Sequence, residues 1–155
     1  MQDVAVHDEK AQAFLAKAIE KCKTIGDGGK GFGMALSAVV FRDIMDHFES
    51  EKGPDGAWSP WSAFYADHMQ RIGKGGNKIL QDSGHLRQAF QPTNYRASSD
   101  GITWFNPAKT KKGFPYAFAH DEGGPKLPAR TFMWLSEDAS EKIAQVTLDF
   151  VLGET

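Results

Sequence analysis

His120, Asp121 and Glu122 stand next to one another and are the first residues in this sequence that could do chemistry. Imidazole and carboxylate groups bind zinc or manganese and act as general acids and bases. Adjacent residues point to opposite faces of a strand and are spread by about 100° each around a helix. The three side chains therefore need distant partners to share one ion. The pattern favours a polar turn without a metal, and a small metal-dependent hydrolase stays open as the alternative.

The glycine-rich segment 26–33 contains the letters of the dinucleotide-binding pattern G-x-G-x-x-G. That pattern binds a pyrophosphate only where a strand precedes it and a helix N-terminus follows it. Here an amphipathic helical stretch precedes the pattern, so the context is wrong. Gly29 and Lys30 are followed by Gly31 rather than by serine or threonine, which argues against a phosphate-binding P-loop. We interpret the segment as a flexible connector and expect no cofactor.

The remaining candidates for covalent catalysis are a serine and the single cysteine. Ser83 lies two residues before His85, but its surroundings are not G-x-S-x-G, and residues at that spacing do not face each other on a helix. Cys22 falls on the apolar side of a predicted helix, where a cysteine is usually a small core residue. Because no catalytic grouping emerges, we expect a protein that is not an enzyme.

Composition and charge limit the class of protein further. The 155 residues are 41% hydrophobic, which is enough for one domain with a real core, and the net charge of −2 lacks the basic excess of a nucleic-acid-binding protein. No apolar stretch approaches the roughly 20 residues of a membrane span, and the polar start does not resemble a secretory signal. With one cysteine and so no internal disulfide, we expect a soluble protein of a reducing cytosol that contacts no membrane.

Two further features suggest contacts with other molecules. Lys109, Lys111 and Lys112 form a basic cluster in a predicted loop, which we interpret as a solvated tip. An electrostatic contact with DNA or with an acidic neighbour in an assembly is the alternative. The chain also carries 4 tryptophans and 11 phenylalanines, and large aromatic side chains are enriched at the energetic centres of interfaces.

Apolar residues at three- and four-residue spacing predict the helices. A first helix is expected over 8–24 and a second over 34–51, and Ser62 is placed to cap a short helix over 62–72. Ser136 is placed to cap the last helix. The apolar ridge of the second helix consists of Leu36, Val40, Ile44 and Phe48, and that of the last helix of Ala139, Ile143, Val146 and Phe150.

The strands are expected between these helices. Residues 93–106 read as a hairpin, because Asp100-Gly101 is the pair that a two-residue type I′ turn prefers. Residues 114–120 read as another strand or as an entry from strand to helix. The prediction is an α+β fold in one domain over 1–155, with a helical part over 1–53 and a second part over 54–155.

Three segments of that second part carry recognisable motifs. Residues 54–62 are similar to the pattern W-x-P-L-S, and residues 79–87 to I-L-x-D-T-G-x-L-R. Residues 116–135 are similar to Y-A-x-x-H-x-x-G followed by P-A-R-x-F-L. Read in order, the three segments resemble the phage virion morphogenesis family, the tail-completion proteins of Mu-like and related tailed phages. The matching positions are Trp58, Pro60, Ser62, Leu80, Asp82, Ser83, Gly84, Leu86, Arg87, Tyr116, Ala117, His120, Gly123, Pro128, Arg130 and Phe132.

The departures from the family pattern are few. Trp61 stands where leucine is usual, Ser83 replaces threonine and keeps its hydroxyl, and Thr131 replaces the common proline. The physical roles that we expect for these motifs are architectural. Asp82 or Ser83 would cap the element that follows, and the five fixed donors of Arg130 suit it to bridging carboxylates or backbone carbonyls.

The resemblance implies a structural subunit and no catalytic, cofactor or metal site. Its expected role is tail completion and head–tail joining, as a homo-oligomeric ring such as a hexamer at the head-proximal end of the tail. The implied partners are the tail tube or terminator and the head–tail connector, with passive contact to DNA in the channel. The expected location is the tail or neck of the virion, and the host cytoplasm during assembly. A head-side neck or head-closure adaptor is the nearest alternative.

Overall fold

The computed structural model describes Glu20, residues 30–98 and residues 101–153. The helix predicted over 8–24 lies outside these residues, apart from Glu20. The helices are α1 (Lys30–Ser50), α2 (Ala63–Arg71), α3 (His85–Ala89), α4 (Tyr116–Glu122) and α5 (Glu137–Leu152). The strands are β1 (Lys52–Gly53), β2 (Gly56–Ala57), β3 (Tyr95–Ser98) and β4 (Gly101–Trp104).

Helix α1 begins four residues earlier than predicted, inside the glycine-rich segment. Phe32 is buried and its ring centroid lies 4.4 Å from that of Phe150 on α5. Burying a phenylalanine ring contributes about 1.5–3 kcal/mol, which exceeds the roughly 1 kcal/mol that a helical glycine costs. Gly33 also lets Tyr95 approach, since a Cβ there would lie 2.9 Å from the tyrosine ring. The second half of the predicted connector is therefore the first turn of a helix.

The hydrophobic core packs against one side of α1. Phe48, Phe90 and Phe132 are fully buried, and the Phe48 ring lies 5.1 Å from that of Phe132 and 5.7 Å from that of Trp58. Ring pairs at these separations gain energy beyond the area they bury. The buried cluster consists of Val40, Ile44, Phe48, Trp58, Leu86, Phe90, Ala108, Ala117 and Phe132. Both the predicted ridge of α1 and the residues of the later segments thus meet in one core.

Helix α5 packs against α1 through a shared polar clamp at its start. Ser136 is the N-cap, as predicted, and its Oγ accepts a hydrogen bond from the Ala139 N–H at 3.2 Å. The same hydroxyl donates to Asp43 Oδ1 at 2.6 Å, and the Ser136 N–H donates to Asp43 Oδ2 at 3.0 Å. One carboxylate on α1 therefore sets where α5 begins.

Each pair of strands forms a small antiparallel hairpin. Strand β3 pairs with β4 in the register Tyr95↔Trp104 and Ser98↔Gly101. The predicted turn is wrong by one residue, because Gly101 is paired within the sheet and only residues 99 and 100 link the strands. Trp104 donates from Nε1 to Ser37 Oγ at 2.8 Å, which ties the hairpin to α1.

Residues 114–120 form no strand, and the helix α4 begins at Tyr116. Its buried residue is Ala117, which lies in the core cluster. Helices at both ends of the described chain, with short antiparallel sheets between them, confirm the predicted α+β class. None of the helices in the described ranges has the length and apolar character needed to cross a bilayer.

Candidate functional site

An open cleft of about 650 Å³ brings the three motif segments together. Ten of the sixteen motif positions line it: Pro60, Ser62, Leu80, Asp82, Ser83, Leu86, Tyr116, His120, Pro128 and Arg130. These positions are spread over some seventy residues of sequence and come from the start of α2, the loop before α3, helix α4 and the segment before Phe132. The fold therefore converts three separate segments into one surface feature.

Aromatic side chains form one wall of the cleft. Ser62 is the N-cap of α2, as predicted, and its Oγ accepts from the Tyr65 N–H at 3.3 Å. This cap directs the chain so that the Trp61 and Tyr65 rings meet edge to face, with centroids 5.5 Å apart. Phe64 beside them is 82% exposed. Exposed aromatic rings at the mouth of a cleft are typical of a binding surface.

Arg130 forms the base of the cleft and is only 6% exposed. Its Nε donates to the Ser59 carbonyl at 2.9 Å and its Nη2 to the Pro60 carbonyl at 3.1 Å, as the sequence suggested for a bridging arginine. No carboxylate in the described part of the chain forms an ion pair with it. Burial lowers the pKa of Arg130, but a guanidinium stays charged in proteins. The cleft therefore has a buried positive charge.

His120 and Tyr116 line the cleft from α4. His120 accepts the Arg130 N–H on its backbone carbonyl at 2.9 Å, which connects α4 to the base of the cleft. Its Nδ1 is buried and lacks a hydrogen-bond partner among the described residues. Burial, and then the Arg130 charge, lower the His120 pKa, so the ring is neutral near pH 7. The Tyr116 hydroxyl is hydrogen-bonded to His85 Nδ1, and burial raises the Tyr116 pKa.

The loop that carries Leu80 is held in a strained conformation. Leu80 has a φ of 61°, which is uncommon for any residue other than glycine. The neighbouring Ile79 N–H donates to Glu51 Oε1 at 2.5 Å, and Lys78 Nζ lies 2.8 Å from Glu49 Oε2. The Lys78 hydrogen bond and the charge of Arg87 hold the Glu49 pKa below its usual range. Two carboxylates near the end of α1 therefore impose this loop geometry.

The expected side-chain cap of α3 is absent. The N-cap is Gly84, which has a φ of 73° and supplies no side chain, while Ser83 Oγ only accepts from the His85 N–H at 3.4 Å. Asp82 instead forms an ion pair with Lys74, with 2.7 Å between Oδ1 and Nζ. Gly84 supplies the left-handed backbone at this position, and Asp82 forms a surface ion pair instead of a cap.

Asp121 holds the third segment in place. Its Oδ1 accepts from the backbone N–H groups of Phe132 at 2.8 Å and Met133 at 2.9 Å. Gly123 has a φ of 75°, and a Cβ there would lie 2.6 Å from the Ala129 nitrogen. Over the described ranges, no group of three His, Cys, Asp or Glu residues could hold a metal ion. Asp121 thus organises the backbone from the last turn of α4, and the prediction of a polar turn at residues 120–122 is wrong.

The six motif positions outside the cleft support it from behind. Trp58, Ala117 and Phe132 belong to the core, and Trp58 Nε1 donates to the Thr131 carbonyl at 3.0 Å. Gly84 and Gly123 provide the left-handed turns already described. The remaining position is Arg87, whose Nη2 lies 2.6 Å from Glu49 Oε1.

The cleft is also lined by Lys78, Lys126 and Leu127, which were not predicted from the sequence. Their only signal is that they flank motif residues. The basic cluster over 109–112 is exposed and lies outside the cleft, and its contact with DNA stays a prediction. In the described part of the chain no hydrogen bond joins a serine hydroxyl to a histidine ring. The aromatic wall and the buried cation suit the cleft to recognition.

The comparison with protein families agrees with the resemblance read from the motifs. A model of the phage virion morphogenesis family matches residues 6–151, nearly the whole chain. The match thus extends well beyond residues 54–135, which carried the resemblance. No curated protein and no solved structure matches the chain. The chain belongs to the phage virion morphogenesis family, and its role lies in the assembly of a phage virion.

Proposed function

We propose that this protein is a structural, non-enzymatic subunit that completes the phage tail and joins it to the head. The observation that carries the proposal is the convergence of ten motif positions on one open cleft. Motif residues that the fold gathers along one accessible cleft are well placed to contact another chain. The cleft is thus the proposed contact site with a neighbouring virion subunit.

The side chains around the cleft support an interface. Tryptophan, tyrosine and arginine dominate the energetic centres of protein interfaces, and Trp61, Tyr65 and Arg130 all line this cleft. Phe64 and Phe118 nearby in sequence are 82% and 67% exposed. Burying such a ring at an interface contributes about 1.5–3 kcal/mol to stability. A free subunit lacks this contribution.

The proposed working form is a homo-oligomeric ring, for which a hexamer is one stoichiometry. A closed ring needs a heterologous interface, in which each subunit presents two different faces. The cleft provides one such face. The solution mass from light scattering over a concentration series should show a discrete multimer. A strict monomer that also fails to bind tail or connector proteins contradicts the ring.

The function itself is tested by deleting the gene in the phage or prophage that encodes it and supplying it from a plasmid. Without the protein, electron microscopy should show filled heads and separate tails, and the plasmid copy should restore joined particles. Joined, infectious particles without the protein would refute the proposal.

Mixing extracts separates the tail role from the head-side alternative. If the protein completes the tail, heads from the deletion strain should join wild-type tails, whereas tails from the deletion strain should not join wild-type heads. The opposite pattern assigns the protein to the head side of the neck.

A further inference from the structure

The charges around the cleft are unbalanced. Lys78 is paired with Glu49, and Asp82 is paired with Lys74, so each of these charges is compensated. Lys126 is exposed and has no acidic partner in the described part of the chain. Together with the buried Arg130 it leaves the cleft with a positive charge that no acidic side chain among the described residues neutralises.

The buried guanidinium has donors to spare. Two of its five N–H groups are used on the carbonyls of Ser59 and Pro60, which leaves three without a partner in the described residues. None of the Arg130 nitrogens is among the buried side-chain atoms that lack a partner, so its free N–H groups are reached by solvent. A carboxylate that enters the cleft supplies the opposite charge and accepts from these N–H groups.

The end of α5 shows the complementary imbalance. Asp149 lies in its last turn, where the helix dipole is negative, and that turn contains no basic residue. Asp149 Oδ1 accepts from Gln145 Nε2 at 2.6 Å and has no cationic partner among the described residues. Leu148 and Leu152 lie one turn apart on the same side of the helix and are 46% and 36% exposed. Asp149 is about 60° around the helix from Leu152 and about 100° from Leu148, so it borders this apolar strip. An acid beside exposed leucines matches a cationic cleft with an apolar wall.

The two surfaces cannot meet within one subunit. The end of α5 packs beside the start of α1, where Phe150 contacts Phe32. The cleft adjoins the other end of α1, where Lys78 pairs with Glu49. At 1.5 Å per residue, Phe32 and Glu49 lie about 26 Å apart along the helix. Two complementary surfaces at opposite ends of a subunit are what a head-to-tail contact between copies requires.

We propose that the end of α5 of one copy enters the cleft of the next, with Asp149 pairing with Lys126 and Arg130. Leu148 and Leu152 pack against the apolar wall of the cleft in this contact. The inference rests on the ring that is part of the proposed function, and it names the two faces that the ring uses.

The first test is a charge exchange, read as the dissociation constant of the purified full chain by light scattering. Lys126→Glu and Asp149→Lys should each weaken self-association by about tenfold or more, as close charge pairs at interfaces do. The double variant should recover most of the affinity, because the pair is restored with its signs exchanged. Both sites are at least partly exposed, and a lysine near the end of a helix suits its dipole, so the variants should fold.

Two matched charge reversals serve as controls. Glu141→Lys lies on an earlier turn of α5, and Lys112→Glu lies in the exposed basic cluster. Both should leave the dissociation constant within about twofold, since neither residue belongs to the proposed contact. Thermal unfolding of every variant verifies that the fold is kept.

The second test is zero-length cross-linking with a carbodiimide, which joins a lysine amine to a carboxyl group in direct contact. A mixture of isotope-labelled and unlabelled copies should yield Lys126–Asp149 peptides that combine the two labels. Lys126→Arg should remove this cross-link and keep the association.

Several outcomes overturn the inference. A multimer whose stability neither charge reversal changes, or a Lys126 that cross-links only within its own copy, would place the interface elsewhere and leave the ring standing. A chain that stays monomeric at every concentration overturns this contact, and it overturns the ring as well if the chain also fails to bind tail or connector proteins. The tail-joining role is judged separately, by the deletion strain.

Discussion

The two sides of this molecule follow opposite physical rules. In the core beside α1, Phe48, Phe90 and Phe132 are fully buried and the buried Ser37 accepts from an indole N–H. At the cleft, Tyr65 is 40% exposed, and Arg130 is buried without an acidic partner among the described residues. The core gains stability from apolar burial, whereas the cleft forgoes it. Local departures of this kind are typical of regions that bind.

Backbone conformation also differs between the core and the cleft. Each of the two non-glycine residues with positive φ in the described chain, Glu51 and Leu80, belongs to the loop system that shapes the cleft, where Glu51 accepts from Ile79. Such conformations cost on the order of 1–3 kcal/mol each and persist only where surrounding contacts impose them. The cleft is therefore built on strain that the core must offset.

The largest effect on stability is expected when a core phenylalanine is truncated. Phe132→Ala should lower the free energy of unfolding by about 3–5 kcal/mol, because it opens a cavity against Phe48. Phe64→Ala, at an exposed position of α2 next to the cleft residue Tyr65, should change it by no more than about 0.5 kcal/mol. Urea unfolding of both variants measures the difference, and equal losses would mean that the two regions are not distinct.

The next effect concerns the carboxylate that positions the third segment. Asp121→Ala removes the charged acceptor of the hydrogen bonds that the Phe132 and Met133 amides donate. This loss should lower the free energy of unfolding by about 2–3 kcal/mol. Asp121→Asn keeps an oxygen that can accept both bonds and should cost less than about 1.5 kcal/mol. If the asparagine variant is as unstable as the alanine variant, the charge itself and not the acceptor holds the segment.

A pair of adjacent glycines separates backbone strain from chain flexibility. Gly123→Ala should destabilise by about 1–3 kcal/mol, because its φ is 75° and the new Cβ would meet the Ala129 backbone. Gly124→Ala meets nothing within 4 Å and should be nearly neutral. Thermal unfolding of the two variants gives the comparison, and similar melting temperatures would show that the segment can adjust.

The smallest effect is a pH dependence at the cleft. Burial lowers the His120 pKa in the folded protein, so the unfolded chain takes up the proton first, near about pH 6.5. The contribution of His120 to stability is therefore complete above that pH and is lost as the pH falls through the lowered pKa. Urea midpoints at about pH 7.5 and about pH 5.5 should fall less for His120→Gln than for wild type. If the midpoint falls equally in His120→Gln and in wild type, His120 is not the source of the pH dependence.

Features that depend on residues close to one another in the chain could be predicted from the sequence. The Ser62 and Ser136 caps and the apolar ridge of α1 form as expected, because a cap needs only a side-chain oxygen and the amide three residues on. The start of α1 and the helix at Tyr116 could not be predicted. The burial of Phe32 against Phe150 and of Ala117 in the core decides them, and both contacts join residues far apart in the chain.

The sequence by itself determined the α+β class, the caps and the ordered motifs that identify the family, because each is written in residue type and local spacing. Tertiary structure alone decided that ten motif positions share one cleft and that Asp121 secures the backbone of Phe132. It also decided that Arg130 is buried with no acidic partner in the described part of the chain. The physical reason is that burial and charge compensation are properties of neighbours in space. The chain acquires those neighbours only when α1 brings the segments together.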